Sequence, residues 1–429
     1  MKSEKRCLHP KNISPPKAAN YLEKSVFLTG FPVWYTTLPG KALPVGVAIR
    51  FFVLKNHALK TTLFLLIALL LGTVCLYGQK KPLELGIIGL SHGHAHWVFQ
   101  SVGRGDFAIA GIVEPDKEVV AKYAKQYGFN TELVFPTIEQ MIEKKRPRAV
   151  AAFGNIYDHL QIVKECAPKG IHVMVEKPLA VSLAHAKKME ALAKKYHIHL
   201  LTNYETTWYP TNHEAYARAK AQAAIGEINK VIIRDGHKGP KNIGVEPEFL
   251  RWLTDPALNG GGAVIDFGCY GANLLTWLME GKKPLKVMAV LQQLQPENNP
   301  KVDDEANIIL TYKDAVGIIH ASWNWPIGRK DMEVYGKKGA IYADNRYNLR
   351  IRMAEGYDGY SEEHISLPER SAPYDDPFAY FAAVINNEIQ MTPYDLSSLE
   401  NNMLVMEILD AAIRSARSEK AVKLRKQKN

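Results

Sequence analysis

The sequence predicts an α/β domain built on a parallel sheet, followed by an α+β domain with a large, open, mostly antiparallel sheet. Three observations lead there. Short apolar runs near residues 83–89, 107–114, 149–153 and 171–175 are separated by stretches long enough for helices, the alternation that makes βαβ units. Beyond residue 203 longer strand-like runs follow one another without helices between them, which implies antiparallel or mixed pairing. The 429 residues, 47% hydrophobic and 23% charged, suit two folded domains and exclude collagenous, disordered and polytopic membrane classes.

Taken from the N-terminus, residues 1–57 show no helical or strand periodicity and read as a non-globular extension. Residues 58–79 read as a signal peptide or a membrane anchor, because 61–79 carry no charge, centre on Leu63 to Val74, and follow Lys55, His57 and Lys60. Cleavage after Gly78 is preferred. A retained anchor is the rival, since 19 uncharged residues at about 1.5 Å each nearly span a core of roughly 30 Å. A long extension ahead of such a segment suggests that translation starts near Val53 or Leu54. Export to the periplasm is therefore expected, with a membrane-anchored form as the alternative.

The net charge of +10 does not signal a nucleic-acid partner. Residues 1–78 hold ten Lys/Arg against Glu4 and Glu23, and the stretch from Arg414 through the basic tail 425–429 holds seven against Glu419, so the middle is about −4. No uniformly basic face follows. Cys7, Cys75, Cys166 and Cys269 form neither a disulfide framework nor a CxxC metal site.

The first domain is placed at 82–202 as a dinucleotide-binding, Rossmann-type unit. Leu83–Gly89 is a buried strand that stops in a turn, a helix follows, and Phe107–Glu114 is a second strand ending in an acid. Phosphates sit at the first helix N-terminus of such units. Glu114, 25 positions after Gly89, is placed to accept from ribose hydroxyls and would repel a 2′-phosphate, so NAD is preferred over NADP. The loop Gly89-Leu90-Ser91-His92-Gly93-His94 departs from the glycine fingerprint at Ser91 and His94. His92, His94 and His96 resemble a metal tract, but directly after a strand they read better as helix-capping or pyrophosphate-side imidazoles, and no metal is expected. Ala149–Phe153 is a strand leading into Gly154 and Asn155, Tyr157–Ala167 a helix, and Ile171–Val175 a strand that ends in Glu176-Lys177-Pro178. A lysine at the end of a parallel strand points into the ligand crevice, and Pro178 restricts its backbone. Lys177 can donate to a substrate hydroxyl and stabilise the alkoxide that develops as hydride leaves.

The second domain, 203–424, has a helix near 211–225 and strands at Lys230–Asp235, Leu285–Leu294, Glu305–Tyr312, Val316–Trp323 and Asp331–Tyr335. Between them Gly260, Gly261 and Gly262 precede a helix carrying Asp266 and Tyr270, four positions apart and so on one face. A tyrosine's unperturbed pKa near 10 makes Tyr270 a poor base unaided; Lys177 nearby would help by favouring the phenolate, while Asp266 orients Lys177 or substrate hydroxyls. Tyr204, Trp208, His237 and Trp323 are candidates to line a sugar site.

The stretch GIHVMVEKPLAVSLAHAKKM resembles the signature of the Gfo/Idh/MocA oxidoreductases, and the likeness runs from about Leu83 to Leu424. It implies that Lys177 stands beside the nicotinamide and that His159, 17 positions before Glu176, belongs to the cofactor side with Gly154, Asn155 and Glu176. Most members read Asp-x-Gly-x-His at the second motif. There the His is the proton-transfer group. Here DFGCYGAN puts Tyr270 at that position, most similar to glucose-fructose oxidoreductase, where a tyrosine does that work, so the resemblance implies that Tyr270 transfers the proton. Glu205 stands where that enzyme has a basic residue, so its substrate does not carry over. The resemblance also implies an open sheet that makes a homodimer or homotetramer. The reading that follows is an NAD-dependent oxidoreductase acting on a sugar, polyol or glycoside carbinol, with a tightly bound cofactor. An NAD-dependent glycosidase and a non-catalytic sugar- or NAD-binding sensor are the alternatives.

Overall fold

The computed structural model describes residues 81–424. The readings of the extension, the apolar segment at 58–79 and the tail 425–429 lie outside the described residues. Among the described residues no helix is long and apolar enough to cross a membrane.

The first sheet contains β1 (Leu83–Ile88), β2 (Phe107–Val113), β3 (Val134–Phe135), β4 (Ala149–Ala152), β5 (His172–Glu176) and β6 (Leu200–Asn203). Its order is β3-β2-β1-β4-β5-β6, parallel throughout. This is the doubly wound order of a dinucleotide domain, which opens its crevice at the carboxyl ends of β1 and β4. Helices cover both faces, so β4 and β6 are buried at every position, and β4 reads as an unbroken apolar run. The crossover helices begin at side-chain caps: Asp116 accepts from the backbone N–H of Glu118 and Val119, and Ser182 from that of His185.

The second sheet adds β7 (Ile228–Gly236), β8 (Lys286–Gln292), β9 (Glu305–Thr311), β10 (Val316–Ser322), β11 (Arg329–Gly336), β12 (Gly339–Ala343), β13 (Asn348–Glu355), β14 (Gly359–Ser366) and β15 (Val422–Lys423). They lie in the order β14-β13-β12-β11-β7-β10-β9-β8-β15. Only β7 and β10 run parallel among these neighbours. Burial alternates along β8 and β9, the signature of a sheet packed on one face. The helices Gly268–Leu278 and Leu399–Ser418 cover that face. On the other, Met288, Val290 and Ile309 are 47%, 51% and 44% exposed.

One segment crosses the linear division into 82–202 and 203–424. The helix Pro377–Ile385 packs with Phe107, Phe153, Met174 and Leu201 in the core of the first sheet, and the Thr202 N–H donates to the Ser397 carbonyl. The first domain is completed by residues that lie between the last long strand of the second sheet and the helix Leu399–Ser418 that covers it.

Candidate active site

The local chain geometry follows from two glycines. Gly89 has φ +80, and a Cβ there would stand 2.6 Å from the Gly154 nitrogen, so the turns after β1 and β4 close on each other only without side chains. Gly262 lies against the Asp303 carbonyl, where a Cβ would be 1.7 Å from the oxygen. The Asp303 carboxylate accepts from the N–H of Gly262 and Val264 at 2.9 and 2.7 Å. That clamp sets the start of the short helix Ala263–Asp266, and Tyr270 lies on a separate helix, Gly268–Leu278, so the single helix expected to carry both residues is broken at Phe267.

Lys177 and Asp266 meet across the domains. The ammonium donates to Asp266 Oδ1 and, at 3.2 Å, to the Asp266 carbonyl, while the Trp323 indole N–H donates to Oδ2 at 3.0 Å. Both side chains are almost wholly buried, 7% and 5% exposed. Burial works against each charge, yet the partner prevails: Lys177 is held above its ordinary value and Asp266 below. The Lys177 Nζ lies 5.3 Å from the centre of the Tyr270 ring, so an amine and a phenol from different domains do converge. Tyr270, 1% exposed, packs against Tyr204 and Phe267.

The structure corrects the expectation that Lys177 favours the phenolate. Burial, and then the Glu205 carboxylate and Cys269, push the Tyr270 phenol well above its usual value. The Lys177 charge is already matched by Asp266, so at neutral pH Tyr270 is a protonated hydroxyl, able to donate.

The histidine tract divides. His92 and His94 turn toward β5, where His94 Nδ1 lies 2.9 Å from Glu176 Oε2 and His92 Nδ1 accepts from the His94 N–H at 3.0 Å. His96 instead stacks on Tyr123 and meets the Tyr127 hydroxyl at 2.6 Å. Among the described residues His92, His94 and Glu176 each offer a ligand atom within 4.8 Å of the others. The arrangement present is a hydrogen-bonded one. It continues inward, since Asn203 donates to Glu176 Oε1 at 2.7 Å and Trp208 donates to Asn203 Oδ1 at 3.0 Å.

Glu114 stands at the end of β2, its two oxygens accepting from the N–H of Leu90 and Asp116 at 2.7 and 2.9 Å. Each keeps a lone pair for a ribose hydroxyl. A Cβ on Gly93 would first meet Phe249 at 3.9 Å, and one on Gly154 would meet nothing within 4 Å. This gap beside the ends of β1 and β4, with Glu114 at its side, fits a dinucleotide.

Other expected residues hold the site rather than face it. The Ser91 hydroxyl accepts from Trp252 at 3.0 Å, pinning the loop to the second domain. The Asn155 side chain caps the turn 156–158, accepting from the Asp158 N–H. His159 is fully buried, with Nδ1 3.1 Å from the Leu179 carbonyl; burial pushes its pKa down to about 4. It props the loop after Pro178 and presents no surface to a cofactor. Tyr204, Trp208 and Trp323 are 0%, 3% and 0% exposed and, like Tyr270, are packed into the core, where Tyr204 stands edge-on to the Tyr270 ring. His237 alone of that set is partly exposed, its ring edge-on to Phe267.

Three polar groups went unmarked as site residues in the sequence. Lys330 on β11 pairs with Glu205, and its Nζ is 5.3 Å from the Tyr270 ring centre, the same distance as Lys177. Tyr209 donates to the other Glu205 oxygen. Asp235 lies opposite Lys330 in the β7–β11 register, wholly buried, with neither carboxyl oxygen hydrogen-bonded.

Known proteins resemble the chain over both of its sheets. Residues 83–204 match the family described as "Oxidoreductase family, NAD-binding Rossmann fold" and residues 213–342 the "GFO/IDH/MocA C-terminal domain". The chain is 26% identical over 240 residues to a trans-1,2-dihydrobenzene-1,2-diol dehydrogenase of Xenopus tropicalis, covering 55% of this chain and 67% of that protein. It is 25% identical over 268 residues to a myo-inositol 2-dehydrogenase of Thermotoga maritima, covering 61% and 75%. Among solved structures, the aldose-aldose oxidoreductase of Caulobacter crescentus shares the fold with a TM-score of 0.67 at 21% identity, over 80% of this chain and all of that one. With both halves matched in sequence and the two sheets meeting at Lys177 and Asp266, the chain belongs to the Gfo/Idh/MocA family of NAD-binding oxidoreductases that act on CH–OH groups.

Proposed function

We propose that this chain moves a hydride between a carbinol carbon of a sugar, polyol or glycoside and a tightly held nicotinamide cofactor. The observation that carries the reading is the meeting of Lys177 with Asp266 and Tyr270 at the carboxyl edge of the parallel sheet. Glu114, Gly93 and Gly154 would hold the dinucleotide, which when bound supplies the hydride acceptor or donor. Lys177 donates to the substrate oxygen and stabilises negative charge there as the carbon changes oxidation state. Asp266 and Trp323 fix the ammonium in place. Tyr270 exchanges a proton with the same oxygen, and burial keeps its hydroxyl protonated before the substrate arrives.

The names of both curated relatives refer to cyclic diols or polyols, which supports an uncharged polyol class. The uncharged run at 61–79 supports export, and an exported nicotinamide enzyme requires a cofactor that stays bound and is re-oxidised in place by a second substrate. The exposed apolar side chains of β8 and β9 support a homo-oligomer through the open sheet face.

The test is to purify the protein without added NAD, supply a panel of sugars and polyols, and follow the near-ultraviolet absorbance of reduced nicotinamide. A substrate-dependent rise is expected. No hydride transfer, with or without added NAD, would overturn the reading, as would net glycoside hydrolysis without any reduced cofactor.

A further inference from the structure

Two ion pairs flank the Tyr270 ring, and the second has no part in the reading above. Lys177 and Lys330 sit at equal distances, 5.3 Å, from the same ring centre. The Lys177–Asp266 pair is closed off, whereas Lys330 and Glu205 are 22% and 25% exposed. A molecule reaching Lys177 therefore has accessible charged groups beside it. Each ammonium already has its own carboxylate, Asp266 for Lys177 and Glu205 for Lys330. His94 likewise has Glu176. The site thus holds no surplus positive charge to attract a carboxylate or phosphate on a substrate.

Asp235 supplies an independent sign that the outer pair is built for a ligand. It faces Lys330 directly across the β7–β11 ladder, and opposed residues in an antiparallel pair project to the same side. It is wholly buried with two unpartnered oxygens, an arrangement that costs free energy unless the fold retains it for a purpose. Lys330 therefore has two acceptors within its reach, one engaged and one idle. If a ligand hydroxyl takes the place of Lys330 on Glu205, the ammonium can turn to Asp235 as its hydrogen-bond acceptor instead.

We propose that Glu205 and Lys330, backed by Asp235 as a positioning residue, recognise a second hydroxyl next to the reacting carbon, so that the substrate is an uncharged vicinal diol or polyol. This rests on the oxidoreductase reading. It makes Lys330 a specificity residue and explains why a pair of charges stands where an apolar wall would exclude water equally well.

The experiment uses the full chain with NAD, the best polyol from the panel, and its deoxy analogue lacking the neighbouring hydroxyl. Wild type should lose about 10- to 100-fold in kcat/KM on the analogue, the range for a hydrogen bond to a charged group. Lys330→Met should lower kcat/KM on the parent polyol much more than on the analogue, mainly through KM, so that the parent-to-analogue ratio falls toward one. Glu205→Gln, isosteric and at a partly exposed position, should narrow the same parent-to-analogue ratio, and Asp235→Asn should narrow it less. Equal losses on both compounds, a ratio unchanged by Lys330→Met and Glu205→Gln, or a preference for the corresponding sugar acid would each overturn the inference while leaving the oxidoreductase reading intact. A wild-type protein that oxidises no polyol would overturn both.

Discussion

The inner and outer ion pairs beside Tyr270 share a ring but differ in what holds them. Lys177–Asp266 joins the two domains, is buried, and is locked by the Trp323 indole and the Asp266 carbonyl. Glu205–Lys330 is partly open, shares Glu205 with Tyr209, and has an idle carboxyl beside it. The contrast separates two requirements of a dehydrogenase. Groups that stabilise developing charge must be fixed before the substrate arrives, whereas groups that read the substrate must be able to exchange partners. The largest expected effect comes from removing what both pairs enclose. Tyr270→Phe should lower single-turnover hydride transfer by about 10²- to 10⁴-fold, the usual worth of a positioned acid or base, while leaving bound cofactor in place. Undiminished single-turnover cofactor reduction by that variant would assign the proton to another group.

Next in size is the inner ammonium. Lys177→Met should lower kcat by about 10²- to 10³-fold, as loss of one oxyanion donor does, with a smaller effect on KM. The outer variants described above act chiefly through KM, so the kcat/KM split itself distinguishes the pairs. A third contrast concerns folding. Asp266→Ala strands a buried ammonium and should cost about 3–5 kcal/mol in denaturant unfolding, whereas Glu205→Ala should cost about 1 kcal/mol or less because its pair is partly solvated. Similar losses for the two would erase the distinction between a fixed and an exchangeable pair.

The two sheets also differ in how far the sequence revealed them. The parallel strands β1, β2, β4 and β5 were legible because burial on both faces makes runs such as β1 and β4 near-continuously apolar, whereas β3, two residues long, and β6, reading LLTN, offered no such run. On the far side of the second sheet, β13 reads NLRIRMAE and β14 GYSEEHIS. They are held by cross-strand hydrogen bonds and by Arg350 and Arg352 with Glu362; β13 does alternate, with Leu349 and Ile351 buried between polar neighbours, but β14 shows no apolar alternation to announce it. The helix Pro377–Ile385 is buried at every position and lacks the stripe that marks a surface helix. At the site, Lys177, Asp266 and Tyr270 were found because glycines and a proline punctuate their motifs. Lys330 lies in the polar run RKDMEVYG, and its meaning depends on Glu205, distant in the chain but adjacent in space. Trp208 and Trp323 misled in the opposite way: aromatic residues near strand ends suit a sugar face, but here their N–H groups hold Asn203 and Asp266 from within the core.

The smallest effect appears only in acid, and it sharpens the same contrast. Burial disfavours the charge on Glu176, but His94 and Asn203 overcome it and carry its pKa from 4.5 to about 2. Glu205, likewise opposed by burial, is brought to about 2 by Lys330 and His94. In both cases the folded value lies below the unfolded one, so the unfolded chain binds more protons between them. Their stabilisation is complete above about pH 4.5 and is lost as pH falls toward 2. Glu176→Gln and Glu205→Gln should each flatten that acid limb of the stability curve, measured by denaturant unfolding at stepped pH. Salt should then tell them apart. At about 1 M the Debye length is roughly 3 Å, enough to screen Glu205, which is 25% exposed, but not Glu176, which is 1% exposed. High salt should therefore erase the difference between wild type and Glu205→Gln while preserving that between wild type and Glu176→Gln. An acid limb untouched by Glu176→Gln would mean that the carboxylate beneath the histidines is already protonated in the folded chain, and that His94 takes its orientation from Trp97, on which it stacks at 3.7 Å, rather than from charge.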